Sequence, residues 1–232
     1  MVHCGGNRPN RKGYTVKTNI VSDILEVSKA MYNKGMVDAY CGNVSVRDGD
    51  RVYVTPSNVC KGYLKPEMIV AVDLQGNVLE AADGYKPSSE VKMHLAAYAL
   101  RGDITSVIHT HAPYATAHAI ACKPIVTNSY TEMIVGFDKI PVASYGTPST
   151  DEIHAGFADV IFLTDVFLIA HHGIVSVGKD VYDAMFKMES VEAITKALTI
   201  AHTLGGEAPL SKERIDELYA VRKTFFGKDR MP

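Results

Sequence analysis

From residue 18 to 34 apolar side chains recur three or four apart, at Ile20, Ile24, Val27 and Met31, which predicts an amphipathic helix ending near Gly35. The period then falls to two. "NVSVRDGDRVYVTP" alternates on both sides of Asp48-Gly49, the signature of a tight hairpin, and "MIVAVDLQGNVLEA" repeats the pattern around Gly76-Asn77. A helical pattern returns from Ser89 to Leu100 and closes at Gly102. "ITSVIHTH" reads as a strand, "APYATAHAI" as a helix, and "VFLIAHHGIVSVG" as a pair of buried strands around His171-His172-Gly173. In "STDE", Ser149 with Glu152 three residues on predicts a capping box that opens a further helix. The last third reads as two helices, over residues 180–204 and from Ser211 to about Phe226. Strands alternate with helices, but the two early hairpins exclude a purely parallel sheet. The pattern therefore predicts an α/β protein with a central mixed, mainly antiparallel sheet and helices on both faces.

Composition narrows the possibilities. At 232 residues and 47% apolar, the chain can bury one large core, and neither a repeat nor a linker divides it. We expect residues 1–14, rich in Gly, Asn and Arg, to form a flexible tail and residues 15–232 a single domain. Net charge is −2 and no basic run exceeds two residues, which argues against a nucleic-acid partner. No apolar stretch approaches the roughly 20 residues that span a bilayer, and the first residues carry no apolar signal segment, so no membrane association and a cytoplasmic location are expected. Cys4, Cys41, Cys60 and Cys122 lie far apart without paired metal-binding spacing and read as reduced thiols.

Candidate chemistry begins with His109 and His111. Two apart on a strand, they project from one face, as two imidazole ligands of a metal ion require. His171-His172 closes another apolar run, and the alternation of a strand lets at most one of that pair join the same ion. Three imidazoles with a carboxylate or an open position would make a catalytic type of zinc site. His94, His118, His154 and His202 sit within helical patterns and are assigned packing roles; His3 belongs to the tail. Glu90, at the start of the helix in "KPSSEVKMHLAAYAL", has an ordinary role in complementing the helix dipole, and also stands where backbone N–H groups can hold a phosphate.

"GNVSVR", "VTPSNV", "KPSSE", "VIHTHAPYAT" and "IAHHGIVSVG" occur in an order and spacing that resemble the class II aldolase/adducin family, over roughly residues 18–226. The resemblance implies a three-layer α/β/α fold, a homotetramer with its sites near subunit interfaces, and one Zn²⁺ per subunit, with Mn²⁺ or Co²⁺ as alternatives. It assigns His109, His111 and His172 as metal ligands. Glu90 becomes a fourth ligand of the resting enzyme that acts as acid/base once substrate displaces it. Gly42, Asn43, Ser57, Asn58, Ser88 and Ser89 match the segments that bind a sugar phosphate, and Tyr130 matches a tyrosine that donates a proton across the interface.

The implied reaction is reversible aldol cleavage of a (deoxy)ketose 1-phosphate to dihydroxyacetone phosphate and an aldehyde, with L-fuculose 1-phosphate and L-lactaldehyde the favoured pair. Relatives in the family suggest alternatives: cleavage of 5-deoxyribulose or methylthioribulose 1-phosphate, sugar-phosphate 4-epimerisation, dehydration, or a non-catalytic adducin-like module. Epimerase-like members carry Asp where this chain has Glu90, and adducin-like members lose the metal ligands retained here. Two departures concern the aldehyde end. "YCGN" places Tyr40 and Cys41 before the glycine, and "KTFFG" offers Phe225 and Phe226 where the aldolase branch has a tyrosine.

Overall fold

The computed structural model describes residues 20–226; the expected tail, with His3 and Cys4, lies outside them. Helix α1 (Ile20–Asn33) leads into the hairpin β1 (Asn43–Asp48) and β2 (Arg51–Val54), then into β3 (Val70–Asp73) and β4 (Val78–Glu80). Next come α2 (Val91–Leu100), β5 (Ser106–Thr110) and α3 (Pro113–Ile120). The short strands β6 (Ile125–Val126) and β7 (Lys139–Ile140) flank α4 (Thr131–Gly136), and β8 (Val142–Ala143) follows. The chain continues through β9 (Val166–Ile169), β10 (Gly173–Gly178), α5 (Val181–Thr203) and α6 (Lys212–Phe226).

Eight strands form one sheet in the order β4-β3-β2-β1-β5-β10-β9-β8, while β6 and β7 pair separately. Every neighbouring pair in the large sheet is antiparallel except β8 with β9, so the sheet is mixed and mainly antiparallel, as expected. Alternation divides its side chains between two cores. Val44, Ile108, Leu168 and Ile174 pack with α1, α3 and α5 on one face, while Val52, Val107, Phe167 and Val175 pack with α2 on the other. The protein is thus a three-layer α/β/α structure. The helical stripe read from the sequence is the buried one: Ile24, Val27 and Met31 of α1 are covered, each contributing about 1.5–3 kcal/mol.

Two local expectations change. The segment after Ser149 is a single 3-10 turn, Asp151–His154, rather than a longer helix, and its cap is Thr150, whose side chain accepts from the Glu152 N–H. Ser149 instead sits at φ 65°, so it cannot act as an N-cap, which needs an extended backbone. The first hairpin turns one residue later than its sequence suggested, because Asp48 pairs with Arg51 and leaves Gly49 and Asp50 as the loop.

Candidate metal centre and active site

The sheet delivers the histidines to one point. Centre strand β5 runs between β1 and β10, with His109 opposite Asn43 on one side and Val175 on the other. His109 projects toward the α2 face, fully buried, and His111 follows just beyond the strand end. The pair His171-His172 lies in the turn between β9 and β10 rather than on either strand, with the His172 N–H donating to Ile169 O at 3.1 Å. A left-handed backbone at His171 (φ 58°) separates the two rings. His171 stays exposed with its Nε2 3.3 Å from Cys122 Sγ, and His172 joins the cluster. One of the pair is selected, as strand alternation had suggested, but a turn does the selecting.

The rings of His109, His111 and His172 lie with centroids 4.7–5.0 Å apart in every pairing, and one ligand nitrogen from each falls within 4.8 Å of the others. His109 donates from Nδ1 to Ile174 O at 3.0 Å, which fixes its tautomer and leaves the Nε2 lone pair facing Nε2 of His111 at 3.1 Å. Burial pushes His109 down to about 3 and lowers His111, outweighing the nearby Glu90 carboxylate, so both rings are neutral and able to bind a cation. Glu90 completes the group: one carboxylate oxygen lies 3.1 Å from His172 Nε2, the other 3.6 Å from His109 Nε2. Burial alone would raise the Glu90 carboxyl, but His109, His172 and a hydrogen bond from Asn43 outweigh it and hold the acid well below its ordinary range. Three imidazoles converging with one carboxylate fit a divalent cation that accepts nitrogen donors.

Glu90 occupies the N-cap position of α2 yet makes no side-chain cap bond; its carboxylate turns to the histidines instead. Asn43, at the start of β1, donates from Nδ2 to Glu90 Oε2 at 2.8 Å. Gly42 before it is required on two counts. Its φ is 77°, and a Cβ there would come within 2.3 Å of Val37 Cγ1. Ser57-Asn58 and Ser88-Ser89 are drawn together by an isolated bridge between Pro56 and Pro87, reinforced by Ser57 N–H to Lys86 O and Ser88 N–H to Thr55 O. Ser88 is buried, and its Oγ accepts from the Glu90 N–H at 3.3 Å, which links this polar loop pair to the histidine–carboxylate cluster. Tyr130 stands apart. It lines a cavity of about 570 Å³ between α4 and α5 that contains none of the four candidate ligands.

The family model described as "Class II Aldolase and Adducin N-terminal domain" matches residues 22–199. The chain belongs to the class II aldolase and adducin family. The L-fuculose phosphate aldolase of Methanococcus maripaludis is 32% identical to it, covering 79% of this chain and 98% of that one. A 5-methylthioribulose-1-phosphate/5-deoxyribulose-1-phosphate aldolase of Rhodospirillum rubrum is 27% identical, over 90% of this chain and 93% of the relative. A solved L-fuculose 1-phosphate aldolase superimposes with TM-score 0.79 at 29% identity, covering 89% of this chain and 97% of that one. Within the family, this member is an enzyme of the aldolase type, a lyase. No helix among the described residues is long and apolar enough to cross a membrane.

Two residues near the site escaped sequence reading. His94, assigned a packing role, is fully buried but hydrogen-bonds Asn43; the available signal was its position one helical turn after Glu90. Lys61 is also buried, its Nζ donating to Val59 O at 2.7 Å. Burial lowers its ammonium, while nearby Cys41, Asp38 and Glu90 favour the charged form. Nothing in the pattern of "NVCKGYL" distinguishes that lysine from a surface one.

Proposed function

We propose that this protein catalyses zinc-dependent, reversible aldol cleavage of a deoxyketose 1-phosphate, with L-fuculose 1-phosphate the favoured substrate, to dihydroxyacetone phosphate and L-lactaldehyde. The reading rests on one observation: an ionised Glu90 carboxylate placed against two of three convergent histidines. His109, His111, His172 and Glu90 would hold the ion, with Zn²⁺ suited to the nitrogen-rich set and Mn²⁺ or Co²⁺ as substitutes. When bound, the cation supplies Lewis-acid stabilisation of negative charge on a substrate oxygen.

The chain's own groups do the rest. Ser57, Asn58, Ser88 and Ser89, with the Gly42-Asn43 turn, anchor the phosphate through hydroxyl, amide and backbone donors, which fixes the reacting carbons beside Glu90. Cleavage breaks the C3–C4 bond; its electron pair passes to C3 and is shared with the C2 carbonyl. The C4 hydroxyl loses its proton as the aldehyde forms, and Tyr130 of a neighbouring subunit in a homotetramer is the group assigned to exchange that proton. Glu90, protonated from solvent once substrate has displaced it, delivers that proton to C3, while the proton lost at the C4 oxygen passes through Tyr130 to solvent, so the exchange balances. In the aldol direction the same carboxylate, ionised at rest, removes it.

The experiment is a coupled assay for dihydroxyacetone phosphate across a panel of ketose 1-phosphates, with and without chelator, on the parent protein and Glu90→Gln. Chelator should abolish turnover, and Glu90→Gln should lower kcat by about 10²–10⁴-fold with zinc still bound. Full activity in the variant would remove Glu90 from the chemistry. A second reading, cleavage of methylthioribulose or 5-deoxyribulose 1-phosphate, is favoured by the R. rubrum relative and by an exposed Phe225 in place of a hydroxyl-bearing side chain. The same panel separates the two.

A further inference from the structure

His94 has no reason to be polar on packing grounds. It is fully buried beside Met93, Ala97 and Tyr98 of its own helix, where an apolar side chain would avoid the cost of burying an imidazole. Instead it lies in an unbroken run of hydrogen bonds that ends at Glu90. Tyr98 Oη donates to Ser45 Oγ at 2.8 Å, with Ser45 O a second, more distant acceptor for the same proton at 3.1 Å. Ser45 Oγ is 2.7 Å from His94 Nδ1, His94 Nε2 is 2.5 Å from Asn43 Oδ1, and Asn43 Nδ2 donates to Glu90 Oε2 at 2.8 Å.

The directions of these bonds follow from the Glu90 end. An ionised carboxylate only accepts, so Asn43 must turn its NH₂ toward Glu90 and its carbonyl oxygen toward His94. That oxygen only accepts, so His94 must carry its proton on Nε2. Its Nδ1 is then an acceptor, and the Ser45 hydroxyl donates to it. Each group allows its neighbour one orientation. Removing His94 would leave the Asn43 oxygen buried without a donor, and the amide could then rotate and offer that oxygen to the Glu90 carboxylate.

We propose that His94 is a positioning residue whose Nε2–H locks the Asn43 amide so that Asn43 holds Glu90 against the histidine cluster. The proposal deepens the reading of Glu90 as acid/base and rests on it for its catalytic consequence. The orientation of the bonds stands independently. Such outer partners of a metal-site carboxylate are typically worth about 10–100-fold in activity.

The test combines a double-mutant cycle with spectroscopy on the zinc-loaded protein. His94→Leu should lower kcat about 10–100-fold with zinc content unchanged. His94→Gln, whose side-chain amide places a donor near the imidazole Nε2, should recover most of that loss. In an Asn43→Ala background His94→Leu should have little further effect. Equal losses in both backgrounds, or no rescue by Gln, would overturn the proposal. Should the Leu variant fail to fold, the Gln variant still decides the matter. In the parent protein ¹⁵N spectra of the histidine side chains should show His94 as the Nε2–H tautomer; an Nδ1–H tautomer refutes the proposal without any substitution. Because that readout needs no substrate, failure of the assigned reaction and failure of this inference remain distinguishable.

Discussion

Gly173 shows how closely the site is drawn. It follows His172 directly, and a Cβ there would stand 2.5 Å from Thr110 O, 2.8 Å from His111 Cδ2 and 3.0 Å from His109 Cε1. The first contact is to backbone and cannot relax cheaply; the other two push on the candidate ligand rings themselves. Gly173→Ala should therefore weaken zinc binding by at least about 10-fold, the scale seen when a ligand's orientation is disturbed, in a protein that still folds. Competition with a chromophoric chelator would measure it, and parent-like affinity would show that the rings tolerate the push. At this scale the sequence was most readable for the histidines, whose spacing is itself a geometric statement. Lys61 and Asn43 were less so. A buried lysine and a polar residue at a strand start look ordinary until folding brings other chains of atoms to them.

Helix α3 starts two residues after His111, so its anchoring bears on the cluster. Its N-cap, Ala112, has no side-chain acceptor, and Pro113 removes one donor. The N–H groups of Tyr114 and Ala115, which have no partner within their own helix, are taken up from another helix, by the two carboxylate oxygens of Glu192 on α5 at 3.0 and 2.9 Å. A carboxylate there also meets the positive end of the helix. Glu192→Ala should cost about 1–2 kcal/mol by urea unfolding, with Glu192→Gln intermediate, since it keeps one acceptor. An unchanged midpoint would mean water replaces the cap at no cost. Most elements were visible in advance, because period and turn chemistry are local properties. Ser149 is the exception. Its serine satisfied the motif, but its left-handed backbone gave the cap to Thr150. The turn geometry at His171 was likewise hidden, because the packing of β9 and β10 against α3 sets it. The His171 N–H donates to Ala119 O at 2.9 Å.

For the whole molecule, burial of neutral imidazoles makes stability depend on pH. His94 is pushed down to about 4 and His109 to about 3, chiefly by burial, from an ordinary value of 6.5. Below 6.5 the unfolded chain binds protons that the folded chain refuses, so stability is fully present above that value and falls as pH drops toward 4. Glu90 acts in a lower window: its acidity is depressed in the fold, so its contribution is lost only below about 4.5. With chelator present, urea unfolding at pH 5 should show about 2 kcal/mol less stability than at pH 7.5 from His94 alone, at 1.36 kcal/mol per pH unit. His94→Gln should remove that share of the slope. A flat profile between the two pH values would contradict the burial of a neutral ring.

Period and composition were sufficient for the mixed sheet with helices on both faces and for placing His109 and His111 on one side of a strand, while the choice of His172 over His171 came from the family resemblance. Hydrophobic alternation is a local property and burial follows it. Tertiary structure alone decided which polar groups face which others across the sheet. It decided that Asn43 serves Glu90, that His94 orients Asn43, that Glu192 caps a helix it does not belong to, and that Tyr130 lies in a cavity away from the candidate ligands. A buried hydrogen bond joins residues as far apart as 43 and 94, and its partner is chosen by packing geometry, which leaves no periodic trace in the chain.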